Sequence, residues 1–244
     1  MFSQSAVQQP KNTGNSNAPK TDFGVVPQGQ HVGRIVRLVG YGLQELANKF
    51  NPDKEPAVVM QVTVELPFET IEVTDKEGNT SEKPRWIWSN DIPVKFTYDS
   101  DRGVVAAHTK SKLHELLCAA FPGEKVWTPE KAQQYMSKLI GSQVGVIVTH
   151  SVSKTNGKTY DKLYQFLPVM KGITVPELQN ETLLYNPYEH DEEVFQKLPQ
   201  HSRDRIQKRL DKQDGNTAAP TPAPKAKQPE PPVADEDFDD DAPF

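Results

Sequence analysis

Apolar and polar residues alternate regularly over residues 57–66, and the alternation continues more loosely over 68–73. The apolar set is Val58, Met60, Val62, Val64 and Leu66, and the polar residues between them include Gln61, Thr63 and Glu65. A period of two places each set on its own face of an extended chain. The pattern therefore predicts a strand whose apolar face packs on a core and whose polar face points away from it.

Two more strands are predicted before residue 100. Residues 31–39 combine Val, Ile and Leu with two arginines and suit a first strand. Glycine and proline over 41–56 indicate a long loop. A turn over 76–80 leads to a returning strand over 83–88, which residues 93–98 continue beyond an interruption at Asn90 and Asp91.

The hydrophobic period becomes helical between residues 112 and 140. The residues that recur at helical spacing are Leu113, Leu116, Leu117 and Ala120. Pro122 ends this first helix. A second helix is predicted from Pro129, with Thr128 as its N-cap, to about residue 140, where Gly141 ends it.

Two strands follow the helices, over 143–149 and 159–170, with a hairpin turn at 155–158 between them. Three strands, a helix and two strands are the order typical of the OB-fold, whereas an immunoglobulin-like sandwich needs about seven strands. The predicted fold class is mainly β. It is a five-stranded OB-fold barrel with a helical insert between strands 3 and 4, short C-terminal helices near 191–198 and 200–211, and disordered tails.

Composition divides the chain into five parts. Apolar residues make up only 35% of the 244, and there are 21 prolines, which favours disorder in part of the chain. The predicted parts are a disordered N-terminal arm (1–20), an OB-fold domain (21–170), an extended and helical extension of that core (171–210), a Pro/Ala-rich linker (211–234) and an acidic tip (235–244).

Charge is unevenly distributed between these parts. The net charge is -5, but the last ten residues hold six acidic residues and no basic one, so 27 acidic and 28 basic residues remain elsewhere. A nearly neutral body is compatible with a positive groove for nucleic acid. The single cysteine, Cys118, lies in an apolar run and indicates a buried thiol in a reducing compartment. No apolar run approaches the roughly 20 residues of a membrane span, so we expect a cytoplasmic protein.

Aromatic and basic residues interleave on the predicted strands. A protein that binds single strands without sequence preference needs cations for the phosphates and aromatic rings on which bases stack. Tyr160, Lys162, Tyr164 and Phe166 are predicted to share one face of the last strand, with Leu163, Leu167 and Val169 as core on the other. The candidate DNA-binding residues are Arg34, Arg37, Lys83, Arg85, Trp86, Trp88, Lys95, Tyr98, Lys154, Lys158, Tyr160, Lys162 and Tyr164.

Other roles for these residues remain open at the level of sequence. Trp86 and Trp88 share a strand face and either stack bases or anchor the helices, and Tyr160 and Tyr164 either stack bases or pack. Phe96 and Phe166 suit the core. The basic residues of 203–212 suit a solvated helix face, contact with DNA, contact with a neighbouring subunit, or reception of the acidic tip.

Catalytic signals are weak. The six histidines are scattered, and no phosphate-binding loop or CxxC pair occurs. Asp99 and Asp101 are typical of a turn. We therefore expect no enzyme activity, no metal and no cofactor.

The C-terminal ten residues resemble the acidic tip of bacterial single-stranded DNA-binding protein (SSB). The tip ends on Ala-Pro-Phe, where that family has Ile before the proline. A terminal aromatic ring suits an apolar pocket, and its carboxylate suits a basic rim. The resemblance implies docking of replication, recombination and repair proteins through Asp237, Phe238, Asp239, Asp240, Asp241, Pro243 and Phe244.

The body resembles the single-stranded DNA-binding proteins of tailed bacteriophages. The resemblance rests on residues 139–148, 154–160 and 193–199. It implies a protein that coats single-stranded DNA during phage replication, recombination and repair in the cytoplasm of an infected bacterium. Two alternatives remain: an adaptor that captures or blocks host repair proteins through the tip without binding DNA, and a nuclease or recombination enzyme with such a tail.

Overall fold

The computed structural model describes residues 24–47, 51–74, 77–155 and 157–213. The N-terminal arm, most of the linker and the acidic tip, including the docking residues predicted there, lie outside the described residues, as does Asn156 in the predicted hairpin turn.

Nine strands and five α-helices are assigned in the described residues. The strands are β1 (Gly29–Gln44), β2 (Ala57–Thr74), β3 (Thr80–Trp88), β4 (Ile92–Pro93), β5 (Thr97–Asp99), β6 (Val104–Ala106), β7 (Gln143–Val152), β8 (Thr159–Leu167) and β9 (Leu183–Tyr185). The helices are α1 (Lys112–Ala120), α2 (Pro129–Met136), α3 (Glu192–Lys197), α4 (Gln200–Gln207) and α5 (Leu210–Gln213), and a 3-10 turn (Ser137–Leu139) follows α2.

A strongly curled, half-barrel sheet forms the body of this mainly β protein. Its strand order is β3-β2-β1-β7-β8, and each of these neighbours is antiparallel. β4 pairs with β2, and β9 pairs in parallel with part of β1. β5 and β6 form a separate two-stranded sheet. The curl gives the main sheet an inner face and an outer face.

The inner face carries the larger hydrophobic core. Val62, Val64 and Leu66 from β2 meet Leu116 of α1, and all four are fully buried. The apolar positions of β2 therefore point inward, as predicted. The helices also begin as predicted, since the side chain of Ser111 accepts from the amide of His114 and that of Thr128 from the amide of Lys131.

A second cluster lies on the outer face, under the C-terminal extension (residues 171–213). Its fully or nearly fully buried members are Val39, Tyr41, Val59, Leu183, Tyr185, Phe195, Leu198 and Ile206. The first three belong to β1 and β2, and the others belong to β9, α3, α4 and the link between α3 and α4. The extension therefore covers one part of the outer face of the sheet.

β3 and β8 meet at a seam where the sheet curls onto itself. The only bridge across the seam in the described residues is a parallel one, between Ser89 and Leu163. Beside it, residues 24–27 form a strap across the gap. Arg85 of β3 donates to the carbonyls of residues 24 and 25, and the amide of Val26 donates to Asp161 of β8 at 3.1 Å. Val26 itself is fully buried, so the strap fills the part of the seam that strands do not pair.

Three details differ from the sequence-based expectations. Residues 41–44, predicted as loop, continue β1, because a bulge with Gly42 at φ 73° keeps the strand paired to β2. Residues 93–98, predicted as one continuation of the third strand, divide between β4 and β5, which belong to different sheets. Glu65, predicted on the polar face, is buried because the C-terminal extension covers it.

Candidate nucleic-acid interface

Trp86 and Trp88 lie side by side on the outer face of β3. Trp86 is paired with Glu65 and Trp88 with Thr63 on β2, so both rings lie on the same side of the sheet, as predicted. Trp88 is 56% exposed, whereas Trp86 is half-buried. Only Trp88 therefore offers a largely open ring to a ligand.

The seam brings β8 next to this tryptophan. Leu163 points into the core at the Ser89 bridge, and its neighbours Lys162 and Tyr164 therefore point outward. Tyr164 is 56% exposed and Tyr160, farther along the strand, is 46% exposed. We call Trp86, Trp88, Tyr160 and Tyr164 the aromatic band; it crosses the seam from β3 to β8.

A bulge at Tyr164 interrupts the alternation of β8. Leu163 pairs with Val148 and Gln165 with Ile147, which leaves Tyr164 as an extra residue on β8. The prediction that Phe166 shares the face of Tyr164 is wrong, because the extra residue shifts the alternation and buries Phe166 in the core. Leu167, predicted as core, is only half-buried for the same reason.

Helix α1 holds the bulge in place. The carboxylate of Glu115 accepts from the amide of Phe166 at 2.6 Å, and Lys112 Nζ donates to the carbonyl of Tyr164 at 2.5 Å. Lys112 also bonds to Glu115 and lies 5.6 Å from the centroid of the Tyr164 ring. Lys112 is therefore a cation of the aromatic band that the sequence did not reveal. Its only signal was a Lys–Glu pair at i,i+3 spacing.

Arg37 lies on the outer face of β1 and stacks on Trp86. Its guanidinium carbon is 4.3 Å from the centroid of the indole ring. Burial lowers the pKa of Arg37 from its usual value, and the charge of Glu181 partly offsets this effect. Arg37 thus belongs to the candidate interface together with the aromatic band.

Arg34 and Arg85, also predicted to contact DNA, bond to the protein itself. Arg34 donates to the carbonyls of Gly141, Val175 and Pro176 and to the Glu177 carboxylate. Arg85 donates to two carbonyls of the strap. These acceptors come from distant parts of the chain, so both side chains have structural roles here.

The remaining predicted cations and Tyr98 lie around the band at different places. Lys162 is exposed on β8 within the band, and Lys154 and Lys158 are exposed beside the β7–β8 turn, which extends the band beyond Tyr160. Lys83 is exposed on β3, where that strand is paired only with the end of β2. Lys95 pairs with Glu55 at 3.7 Å, and Tyr98 is exposed on the separate β5–β6 sheet, so the structure does not bring these two residues to the seam.

The three arginines of residues 203–212 bond to other parts of the protein. Arg205 makes two hydrogen bonds to Asp91, at 2.7 and 2.6 Å, and these bonds raise the pKa of Arg205. Arg203 donates to Gln196 and Gln200, and Arg209 donates to the carbonyl of Pro187. Each of these three arginines therefore makes a packing contact within the protein.

The described residues contain neither a cluster of metal ligands nor a membrane-spanning helix. No group of three or more His, Cys, Asp and Glu side chains there has the arrangement of a metal site. None of the helices described is long and apolar enough to cross a bilayer. Cys118 is half-buried, and its sulfur accepts from Trp127 Nε1 at 3.3 Å.

No protein-family model matches the sequence, and no curated protein is significantly similar to it. The functional assignment therefore depends on the site and on the resemblances noted in the sequence.

Proposed function

We propose that the protein binds single-stranded DNA through an OB-fold barrel and coats it with little sequence preference. The sheet path supports the OB-fold. Strand β1 pairs with both β2 and β7, while β2 carries β3 and β7 carries β8. Such a barrel closes through a parallel contact between its third and fifth strands in chain order, here β3 and β8, and the Ser89–Leu163 bridge is a contact of this kind. In this proposal, α1 and α2 are the insert between the third and fourth barrel strands.

The aromatic band is the observation that carries the proposal. Trp88, Tyr160 and Tyr164 are each about half exposed on adjoining strands, although rings of this size are usually buried more fully. Every base has a face that stacks on such rings, so the arrangement favours single strands over duplexes and tolerates any sequence. Lys112 and Lys162 add positive charge beside the rings for the phosphates.

The acidic tip completes the proposed function. It lies outside the described residues, and its support is its sequence, in which six acidic residues and Phe238 precede Ala-Pro-Phe. We propose that it recruits replication, recombination and repair proteins to the coated strand, during phage DNA replication in an infected bacterium. The partners are proteins with an apolar pocket and a basic rim.

Fluorescence anisotropy of a labelled oligo-dT strand tests the DNA-binding proposal. We expect Trp88→Ala and Tyr164→Ala to weaken binding by about 5- to 150-fold each, because one stacked base contributes about 1–3 kcal/mol. Phe68→Ala is the matched control. Phe68 is a similarly exposed ring of β2, but it lines a separate cleft of about 290 Å³ with Met170 and Ile173. A duplex of the same length should bind more weakly than the single strand.

Two results would contradict the proposal. If the full chain does not bind oligo-dT at low salt, the tip-only adaptor becomes the better account. If Phe68→Ala weakens binding as much as Trp88→Ala does, the aromatic band is not the site.

A further inference from the structure

Arg37 differs from every other arginine of the chain. The other six each have a hydrogen-bond or ion-pair partner in the protein, and they are Arg34, Arg85, Arg102, Arg203, Arg205 and Arg209. Arg37 has none among the described residues, and its only close interaction is with the ring of Trp86. An arginine is seldom half-buried without an acceptor, because taking a charge out of water costs free energy.

Two buried donors meet at this position. Arg37 Nε and Trp86 Nε1 are both inaccessible to solvent, and neither has a hydrogen-bond partner. The two side chains are in contact, with the guanidinium 4.3 Å from the ring centroid. Both of these atoms are closed to a ligand, which would instead meet the terminal amino groups of Arg37; these groups only donate, so the position fits a group that only accepts.

The sheet places this site beside Trp88. Arg37 pairs with Thr63, and Thr63 pairs with Trp88, so the three residues form one row across β1, β2 and β3. A bulge at residue 36 allows both Arg34 and Arg37 to point to the outer face. A base stacked on Trp88 would place the phosphate of its nucleotide within reach of β2 and β1, the other two strands of this row.

Glu181, the acidic residue whose charge acts on Arg37, does not bond to it. Its exposed carboxylate is held by Lys197 at 2.9 Å. Burial lowers the pKa of Arg37, and the charge of Glu181 partly offsets this effect. The guanidinium therefore has no carboxylate bonded to it among the described residues, and its donors remain for a ligand.

We propose that Arg37, backed by Trp86, is a phosphodiester subsite of the single-strand path, next to the ring of Trp88. The inference rests on the proposed function and refines it. The planar guanidinium presents paired donors to two phosphate oxygens, and the stack on Trp86 fixes its orientation before the strand arrives. Trp86 then supports the arginine, and Trp88 is the ring on which a base stacks.

The salt dependence of binding distinguishes this role from a structural one. Each phosphate contact on a single strand adds about 0.7 to the slope of log affinity against log salt concentration. We expect Arg37→Gln to make this slope shallower by about 0.7 and to weaken binding about tenfold or more at low salt. Trp88→Ala should weaken binding with the slope unchanged. The control is Arg102→Gln, because Arg102 is exposed on the β5–β6 turn and pairs with Asp99; this variant should change neither quantity.

The outcomes separate the subsite from the coating function. An unchanged slope in folded Arg37→Gln, with Trp88→Ala still impaired, would overturn the subsite and leave the coating function intact. No binding by the wild-type chain would overturn both. If circular dichroism shows that Arg37→Gln is unfolded, the salt dependence of binding is measured on Arg37→Lys instead. Arg37→Lys keeps the charge but loses the paired donors. We therefore expect it to keep the salt slope of the wild type and to bind with lower affinity. Wild-type affinity in Arg37→Lys would overturn the subsite.

Discussion

The carboxylate of Glu65 is buried on the outer face of the sheet, and only 1% of the residue is exposed. Its oxygens accept from the backbone amides of Gln179 and Asn180 and from the side-chain amide of Asn180, at 2.8, 3.1 and 2.6 Å. Its cross-strand neighbour Arg34 holds two carbonyls of the same segment. These two charged residues therefore fix the start of the C-terminal extension on the sheet.

Replacing Glu65 by alanine should destabilise the protein. Three donors would lose their acceptor in a buried place, which costs about 2–4 kcal/mol in the free energy of unfolding. Urea denaturation measures the loss. Glu65→Gln is the control, since its amide oxygen still accepts and should preserve more of the stability. Equal midpoints for Glu65→Ala and the wild type would contradict this account.

Single residues also mark the limit of sequence-based prediction. The face shared by Trp86 and Trp88 follows from the period of a strand, and the register confirms it. The roles of Arg34 and Arg85 do not follow from any local pattern. Their acceptors lie up to 143 residues away, and only the tertiary fold brings them together.

At the scale of elements, the bulge in β8 and the first turn of α1 act as one unit. The bulge takes the carbonyl of Tyr164 and the amide of Phe166 out of the regular ladder, and Lys112 and Glu115 bond to them. Buried backbone groups need such partners. The two elements together orient the ring of Tyr164.

Replacing Glu115 by alanine should release this unit. The amide of Phe166 loses its acceptor, so we expect faster hydrogen exchange at that amide and a loss of about 1–3 kcal/mol in stability. Single-strand binding should weaken as well, because Tyr164 is no longer held. Glu115→Gln keeps an acceptor and should restore much of the protection. Unaltered exchange at Phe166 in Glu115→Ala would show that the bond is unimportant.

The elements themselves were largely predictable, but the bulges were not. Hydrophobic period and capping residues located β1, β2, β3, β7, β8, α1 and α2, because each period reflects one buried face. A bulge adds one residue without a distinctive composition. The face shared by Phe166 and Tyr164 was consequently mispredicted, although the core position of Phe166 is confirmed, and Lys112 was overlooked.

For the whole molecule, the sheet has apolar residues on both faces. The inner face is closed by α1 and α2, and the outer cluster of Val39, Tyr41 and Val59 is closed by the C-terminal extension. The aromatic band lies on the outer face beyond this cover. The extension thus determines which part of the outer face remains accessible to a ligand.

Truncation after residue 174 should expose the outer cluster. We expect the shortened chain to self-associate or precipitate, because it leaves buried apolar side chains of β1 and β2 without a cover. Size-exclusion chromatography with light scattering detects this. A matched truncation after residue 213 keeps the cover and should behave as the full chain does. A monodisperse 1–174 fragment that melts like the full chain would show that the extension is dispensable.

Deletion of residues 235–244 should separate the two proposed activities of the molecule. The deleted segment carries six acidic residues, and in the proposed function these compete with DNA for positive surfaces, so oligo-dT binding should stay equal or become tighter. Capture of a partner with a basic-rimmed pocket should be lost. Anisotropy and a pull-down with a purified partner measure the two effects. Weaker oligo-dT binding after the deletion would exclude competition by the tip.

The strap at the seam has a consequence for how the chain reaches this structure. The amide of Val26 bonds to Asp161, 135 positions later, and Arg85 bonds to the same strap from a third region. During synthesis, residues 24–27 emerge long before β8 exists, so the seam stays open and its apolar lining stays exposed until most of the chain has left the ribosome. Contacts between such distant residues slow folding. A nascent chain that stalls before residue 161 would therefore be a natural client for chaperones.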